Sequence, residues 1–438
     1  MATGFLVRLR PTGPWRIGPD SGARDRVETI YHSDSMYSAV TSAMVRLGML
    51  EDWLASTSGN TDGSAVRFSS CYPFQRKTLF VAPPRNVWPP PPSAKIRYKG
   101  ARFVPLSLVS SLLADQPVDE SRWLLDGASE CLLPSDRNEG PFRVVLRTAA
   151  AVDRVTPGAC EVHTTACLEF APACGLWFLV GFASAEARSR WSGPVKTALR
   201  LLADTGFGGE RSQGWGRSEM PEFIDGDLKH LLLPPRRPKP VVVKAAVIEP
   251  PPIAEATIPS RHREEAVAEE LEAGSVPFAD ARGSETPEPS RDREGAVAEE
   301  LETGSEPLAD ARGSETPAVA EEVDIAEQPT EPEPAEPEPV ETGPLGWWML
   351  SLFSPAAADR VDWTRGRYAL VVRSGRIQSA VRHGDLKTPA SMILEGSVLV
   401  AEDEPRGAAH NVAPEGFPHP VYRAGFALAI SIPLRGTP

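Results

Sequence analysis

Cysteine is scarce in this chain: Cys71, Cys131, Cys160, Cys167 and Cys174 are the five among 438 residues, odd in number and without a CxxC pair. This usage offers no disulfide framework and suits a reducing compartment with free thiols. It also lacks the paired ligand spacing of a structural zinc site. Cys160, His163 and Cys167 stand close together in an alternating apolar stretch that strand packing explains, so no metal and no other cofactor are expected. Long hydrophobic runs are missing as well. The longest, near Gly175 to Ala183, is far short of a membrane span. The opening Met1-Ala-Thr-Gly-Phe-Leu-Val-Arg-Leu-Arg-Pro11 is too short and too soon charged for a secretory signal. The expectation is a cytoplasmic protein with no membrane contact.

Positive charge is in deficit overall, with a formal net charge of −13. That figure averages unlike parts. Of the 46 basic and 59 acidic residues, 10 and 27 lie between Pro235 and Gly343, leaving 36 and 32 elsewhere. The foldable portion is therefore mildly basic, which permits a phosphate ligand without demanding one.

The charge step coincides with a change of composition. Residues 234–343 contain two copies of a 30-residue repeat, starting at Ser260 and Ser290, and then a Glu-Pro tract ending near Glu341. Two copies are too few for a solenoid. The repeats carry too little apolar surface to offset ordering entropy, so this segment is expected to be a disordered acidic linker. It separates an expected domain over 1–233 from another over 344–438.

Before the linker, apolar and basic residues alternate from Phe5 to Arg10, as in an RNA-facing strand. Met36, Tyr37, Val40, Ala43, Met44 and Leu47 then recur at helical spacing, with Ser33 or Asp34 as the expected N-cap. Strands are expected at Val66–Ser70, Phe142–Thr148, Glu161–Phe170 and Gly175–Ala183, and a helix from Ser192 to Ala203 with Pro194 in its first turn. This is an α+β, β-α-β-β-α-β (ferredoxin-like) order, interrupted by a Pro-rich projecting loop over about 71–139. In that loop Lys95, Arg97, Lys99 and Arg102 interleave with Tyr98 and Phe103. Such a pattern suits RNA backbone contacts and base stacking, or equally an ordinary solvated hairpin. After the linker, Trp347–Phe353, Tyr368–Arg373, Arg376–Arg382, Met392–Val400 and Val421–Pro433 read as strands with no convincing amphipathic helix among them. The second module is therefore expected to be degenerate and mostly β.

The most informative stretch is Gly206-Phe-Gly-Gly-Glu-Arg-Ser-Gln-Gly-Trp-Gly-Arg217, with five glycines in twelve positions. It lacks the Gly-Lys-Ser/Thr ending of a Walker loop, and it follows a helix rather than joining a strand to one as a dinucleotide fingerprint does. Glycines allow a tight turn whose N–H groups can approach an anion. On this reading Gly208, Gly209, Gly214 and Gly216 supply loop geometry, and Arg211 and Arg217 contact phosphates. Ser212 offers a hydrogen bond and Trp215 either a stacking face or a core anchor for the loop. Glu210 is expected to pair with an arginine.

Six stretches together resemble a known family. They are His32-Ser-Asp-Ser-Met-Tyr-Ser-Ala39, Val152-Asp-Arg154, Thr205 through Arg217, Met349-Leu-Ser-Leu-Phe-Ser-Pro355, Glu395-Gly-Ser397 and His419-Pro-Val-Tyr-Arg-Ala-Gly425. In this order they resemble the fourth subunit of the Csm (type III-A CRISPR) effector complex, one of the RNA-binding RAMP proteins of antiviral defence. The resemblance implies two RRM-like, ferredoxin-type modules holding the 5′ repeat-derived handle of the guide RNA (crRNA). It also implies a joint between the large polymerase-type subunit and the backbone RAMP subunit. It adds Arg154 and the turn His32, Ser33, Asp34 and Ser35 to the RNA-contacting set, which Lys95 and Lys99 join on the basic–aromatic pattern of the projecting loop alone. The roughly 110-residue acidic insert departs from the short connection such a subunit is expected to have.

His32, Asp34 and Ser35 also admit a nuclease reading, because RNA cleavage by general acid–base chemistry needs a poised histidine. Asp34 stands where a helix cap belongs, however, and no second carboxylate lies near it in sequence. A non-catalytic binder is therefore expected, with a guide-processing endoribonuclease using His32 as the alternative. A purely protein–protein scaffold docking through the apolar Trp347–Phe353 strand is a third reading.

Overall fold

Thr3–Leu9 (β1) buries Phe5, Leu6, Val7 and Leu9, too many apolar side chains for an edge strand. The computed structural model describes residues 3–19, 21–60, 63–90, 100–152, 160–234, 345–379 and 383–434. All belong to one of the two contact units of the chain, which comprises residues 1–239 and 337–438. The repeats and the Glu-Pro tract lie outside the described residues.

After β1 come α1 (Ser33–Arg46), α2 (Leu50–Ser56), β2 (Val66–Phe68), β3 (Tyr72–Gln75), β4 (Thr78–Val81), β5 (Val104–Pro105) and α3 (Leu106–Leu113). There follow β6 (Trp123–Asp126), β7 (Cys131–Pro134), β8 (Phe142–Val152), β9 (Cys160–Phe170), β10 (Cys174–Phe182), α4 (Ala185–Thr205), β11 (Glu222–Asp227) and α5 (Leu228–Leu232). The main sheet runs β11-β1-β10-β3-β4-β5, with β2 also paired to β10. β1 lies antiparallel between β10 and β11, with Phe5 opposite Val180 on one side and Asp225 on the other. Every residue of β10 is buried, as its unbroken apolar run requires for a strand covered on both faces. β8 and β9 pair with each other over eleven residues and form a ribbon of their own.

α1 forms where the spacing placed it, with Met36, Tyr37, Val40, Ala43 and Met44 buried along one face. Its cap differs from expectation: His32 is the N-cap residue and no side chain caps the helix. The Asp34 carboxylate is drawn to two distant arginines instead. α4 starts earlier than expected. Ser184 caps it by accepting from the Ala187 amide, and Trp191, Val195, Ala198 and Leu199 carry its buried face straight through Pro194. The basic residues of β1 are also used inside the fold, since Arg8 lies over the Phe74 ring and Arg10 pairs with Glu222 and Glu219.

Beyond the insert lie β12 (Leu345–Met349), β13 (Val361–Arg367), β14 (Leu370–Arg373), β15 (Arg376–Gln378), β16 (His383–Leu386), β17 (Ala390–Ile393), β18 (Val398–Ala401), β19 (Ala409–Asn411), β20 (Tyr422–Ala424) and β21 (Ala429–Pro433). Two expected strands are each split in two. Gly396, at φ 81°, turns the chain between β17 and β18, and residues 425–428, outside any strand, separate β20 from β21. The four-stranded sheet β13-β18-β12-β21 is antiparallel throughout. Among the described residues, no helix occurs in this part.

The flanks of the insert share one hydrophobic core. Tyr37 of α1 meets both Trp53 and Phe426, and Trp53 meets Trp191, with ring centroids 5.3–5.7 Å apart. Trp348, fully buried, donates its indole N–H to Ala82 O at 3.2 Å, and Tyr72 donates to Leu350 O at 2.7 Å. Truncating a side chain such as Trp348 to alanine typically costs about 3–5 kcal/mol.

Candidate nucleic-acid interface

A cleft of about 530 Å³ opens where three segments distant in sequence converge. One wall is the start of the glycine loop, with Phe207, Gly208, Gly209, Glu210 and Arg211. The second is the strand after β1 together with the head of α1, contributing Arg16, Arg24, Tyr31, His32, Asp34 and Ser35. The third comes from the C-terminal hairpins, with Arg373, Arg376, Gln378, Lys387 and Arg423. Seven cationic side chains line this cleft against three acidic ones, Glu28, Asp34 and Glu210. That excess is what a polyanion requires.

The glycine loop is folded by backbone bonds, some within it and some to the strand after β1. Gly206 caps α4 and donates to Leu202 O at 2.8 Å, Gly209 donates to Arg16 O at 2.8 Å and Gly216 donates to Pro14 O at 2.9 Å. Gly216 has φ 79°, and a Cβ there would lie 2.1 Å from Phe207 O. A Cβ on Gly208, at φ 92°, would lie 2.6 Å from Arg16 O. Several loop amides are thus spent on protein carbonyls, and the glycines first serve to let the loop close on itself and pack against Pro14 and Arg16. The amides of Gly208 and Glu210, at the cleft, find no acceptor among the described residues. Phe207 anchors the loop against Trp15 and Tyr31, with centroids 4.6 and 5.1 Å apart.

The loop residues separate by position. Gly208, Gly209 and Arg211 line the cleft, whereas Ser212, Gly214, Trp215, Gly216 and Arg217 do not. Trp215 is only 8% exposed, which leaves little of its ring open to a stacking base. The wide indole is the one large apolar group of the tip, and burial is its stable place. Arg217 is exposed on another side, where its carbonyl accepts from Thr12 N and Trp15 Nε1, each at 3.1 Å. Arg211 donates to Gln378 Oε1 at 2.8 Å across the cleft. Glu210 accepts from Gln213 Nε2 at 2.9 Å, and its charge also acts on Arg16, raising that pKa against the effect of burial. Lys95, Lys99 and Arg154 lie outside the described residues.

The His32–Ser35 turn is buried, unlike a typical RNA-contacting turn. His32 Nδ1 lies 2.7 Å from Glu395 Oε1, and Ser70 Oγ donates to the same oxygen. Burial works against the Glu395 carboxylate, yet His32 and Ser70 hold its pKa below the ordinary value. The Ser33 amide donates to Ser70 Oγ at 2.9 Å, and Ser33 Oγ accepts from the Leu352 amide at 3.0 Å. Asp34 receives Arg423 Nη1 and, at 3.4 Å, both Nε and Nη2 of Arg373. Burial opposes its charge too, but Arg373 and Arg423 win and bring its pKa down to about 2.

Sequence reasoning missed Arg16, Arg24, Arg373, Arg376, Lys387 and Arg423 as cleft residues. Arg16 is buried and spends its guanidinium on the carbonyls of Ala23, Arg24, Arg26 and Ala166, with burial lowering its pKa. Arg423 had a signal, since it sits inside the His419–Gly425 stretch; the others stand in unremarkable hairpins. Among the described residues, no group of three or more His, Cys, Asp or Glu is placed to hold a metal ion, and no helix is long and apolar enough to cross a membrane.

Residues 345–432 match the family model of the CRISPR Csm4 C-terminal domain. No curated protein matches the chain in sequence. A chain in a crystal structure of a Csm3-Csm4 subcomplex of the type III-A CRISPR-Cas interference complex is similar in fold, with TM-score 0.50, 11% identity, and coverage of 99% of this chain and 100% of that one. A chain in a Csm1-Csm4 cassette crystallised with pppApA has TM-score 0.45 and 14% identity at the same coverage. A chain in the cA4-bound form of that cassette has TM-score 0.43 and 14% identity, again covering 99% and 100%. The resemblance read from the six sequence stretches is therefore borne out: the chain is similar to the Csm4 RAMP subunit of type III-A complexes.

Proposed function

We propose that this Csm4-like chain is a non-catalytic RNA-holding subunit of a type III-A CRISPR complex, gripping the 5′ repeat-derived handle of the guide RNA in the 530 Å³ cleft. The observation that carries this reading is the convergence of Gly208, Gly209 and Arg211 with five further arginines and a lysine on one concave surface. Arginine forks match phosphate oxygens, and the unpaired loop amides add donors to them.

The strand order supports a two-module ferredoxin-like description. In the first sheet the sequence β1, β3, β10, β11 lies in the order fourth, first, third, second, all antiparallel. In the second, β12, β13, β18 and β21 lie in that same order, with loops and hairpins where the first module has α1 and α4. The likeness to the Csm3-Csm4 structure supports docking to a backbone subunit. Contact with the large polymerase-type subunit, and a cytoplasmic location, follow from the sequence resemblance.

Burial argues against catalysis by the His32 turn, because His32 is 4% exposed and tied to Glu395. The His32–Glu395 pair is nonetheless the one feature that favours the endoribonuclease alternative, since a carboxylate orients an imidazole for proton transfer. Handle RNA and purified protein decide both points. Arg211→Ala is expected to weaken binding with strong salt dependence, while Arg217→Ala has a smaller effect. Full affinity in Arg211→Ala would count heavily against the cleft. Site-specific cleavage of repeat RNA, abolished by His32→Ala, would replace the binder with the nuclease.

A further inference from the structure

Asp34 read as an RNA contact in the sequence, but the fold places it beneath two arginines from the far side of the insert. Arg373 ends β14 and Arg423 lies in β20. Arg373, Arg423 and Asp34 are 8%, 4% and 5% exposed, and all three line the cleft. Arg423 is further held by Ser374 O, and its Nε has no acceptor among the described residues. Arg373 Nη2 also reaches Ser35 Oγ at 3.3 Å. Above this floor stand Arg376, whose Nη1 donates to Gly384 O at 2.7 Å, and Lys387.

A contact needed only to hold α1 against the C-terminal strands has no use for three buried charges. Apolar packing does that as well or better, and the Tyr37–Phe426 contact already does it. Guanidiniums held in place on a cleft floor by a shared carboxylate suit a ligand with anionic groups, because their positions are then preorganised for it.

We infer that Asp34 is a positioning residue, holding Arg373 and Arg423 as the floor of a phosphate site which, with Arg376 and Lys387 on its rim, takes consecutive phosphodiesters of single-stranded RNA. This rests on the RNA-binding reading of the cleft and assigns its C-terminal wall. Asp34 itself touches no RNA; it acts through the arginines.

The test uses the full chain and a 5′-fluorescent single-stranded handle RNA, read by polarisation across a NaCl series, with inorganic phosphate and ATP as competitors. Arg376→Ala is expected to lower the slope of log affinity against log salt by about 0.7, one single-strand phosphate. Asp34→Asn is expected to weaken binding at least about tenfold, as loss of an oriented charge pair does, and Asp34→Glu to recover part of it. Phosphate and ATP are expected to compete far more weakly than unlabelled RNA. Unchanged affinity and slope in Arg376→Ala, with Arg211→Ala still impaired, overturns this wall while leaving the RNA reading standing. Competition by ATP or phosphate as strong as by RNA overturns the phosphodiester assignment. Wild-type protein that binds no RNA sinks both. Should Asp34→Asn fail to fold, the exposed Arg376 decides alone.

Discussion

The glycine loop at 206–217 and the turn at 32–35 face the same cleft, yet they are built in opposite ways. The loop is held by main-chain bonds, within itself and to Leu202, Arg16 and Pro14, and presents Arg211 to solvent. The turn has almost no exposure and reaches across the fold to Glu395, Leu352, Arg373 and Arg423. The loop was read as a ligand contact from its glycines and arginines, and the turn from the family resemblance. Burial separates them: one stands exposed at the cleft, and the other is a fastening beneath it.

That difference predicts a large stability effect on one side and almost none on the other. Asp34→Ala leaves two buried guanidiniums without their carboxylate and is expected to cost about 3–5 kcal/mol in urea unfolding. A loss under about 1 kcal/mol would show that the turn is not a fastening.

Next comes the loop's internal packing. Gly216→Ala meets Phe207 O at 2.1 Å with φ 79°, whereas Gly214→Ala at φ 80° meets nothing within 4 Å. The open site is expected to lose about 1–2 kcal/mol, the general cost of a left-handed non-glycine residue. Gly216→Ala is expected to lose more and to weaken RNA binding as the loop opens. Equal losses at the two positions, measured by denaturation, would remove the close-packing explanation.

The acid limb of stability sharpens the comparison further. Asp34 has its pKa depressed to about 2 in the fold, so its contribution is fully present above its unfolded value near 4 and is lost as pH falls through about 2. A shift of this size corresponds to about 2 kcal/mol. Arg211→Ala is expected to keep that acid limb and Asp34→Asn to lack it; identical pH profiles for the two variants would contradict the assignment. The smallest effect belongs to the exposed loop: Arg211→Ala is expected to change folding stability by no more than about 0.5 kcal/mol, against a clear loss of RNA affinity.

Local pattern carried much of the fold. The buried face of α1, the strands at β2, β8, β9 and β10, and the mostly β character of residues 345–434 all follow from spacings of two or near 3.6 residues, which are visible in any short window. Boundaries failed where a local cue competed with packing. Pro194 read as a helix start, but Trp191 behind it had to be buried, and Ser184 supplied the cap. In the cleft, Gly208, Gly209 and Arg211 were legible because clustered glycines beside arginine are a local signature. Trp215 was not, since whether an indole faces base or core depends on what lies beneath the loop.

The sequence by itself determined the secondary elements, the glycine-built loop and the basic balance of the foldable part against the acidic insert. Those are properties of neighbours along the chain, set by backbone sterics, side-chain periodicity and composition. Only the tertiary structure decided which charges meet. Asp34 lies 339 residues from Arg373 and 389 from Arg423, and no window of sequence links them. Burial makes their meeting obligatory, because an unpaired charge removed from water is too costly to persist.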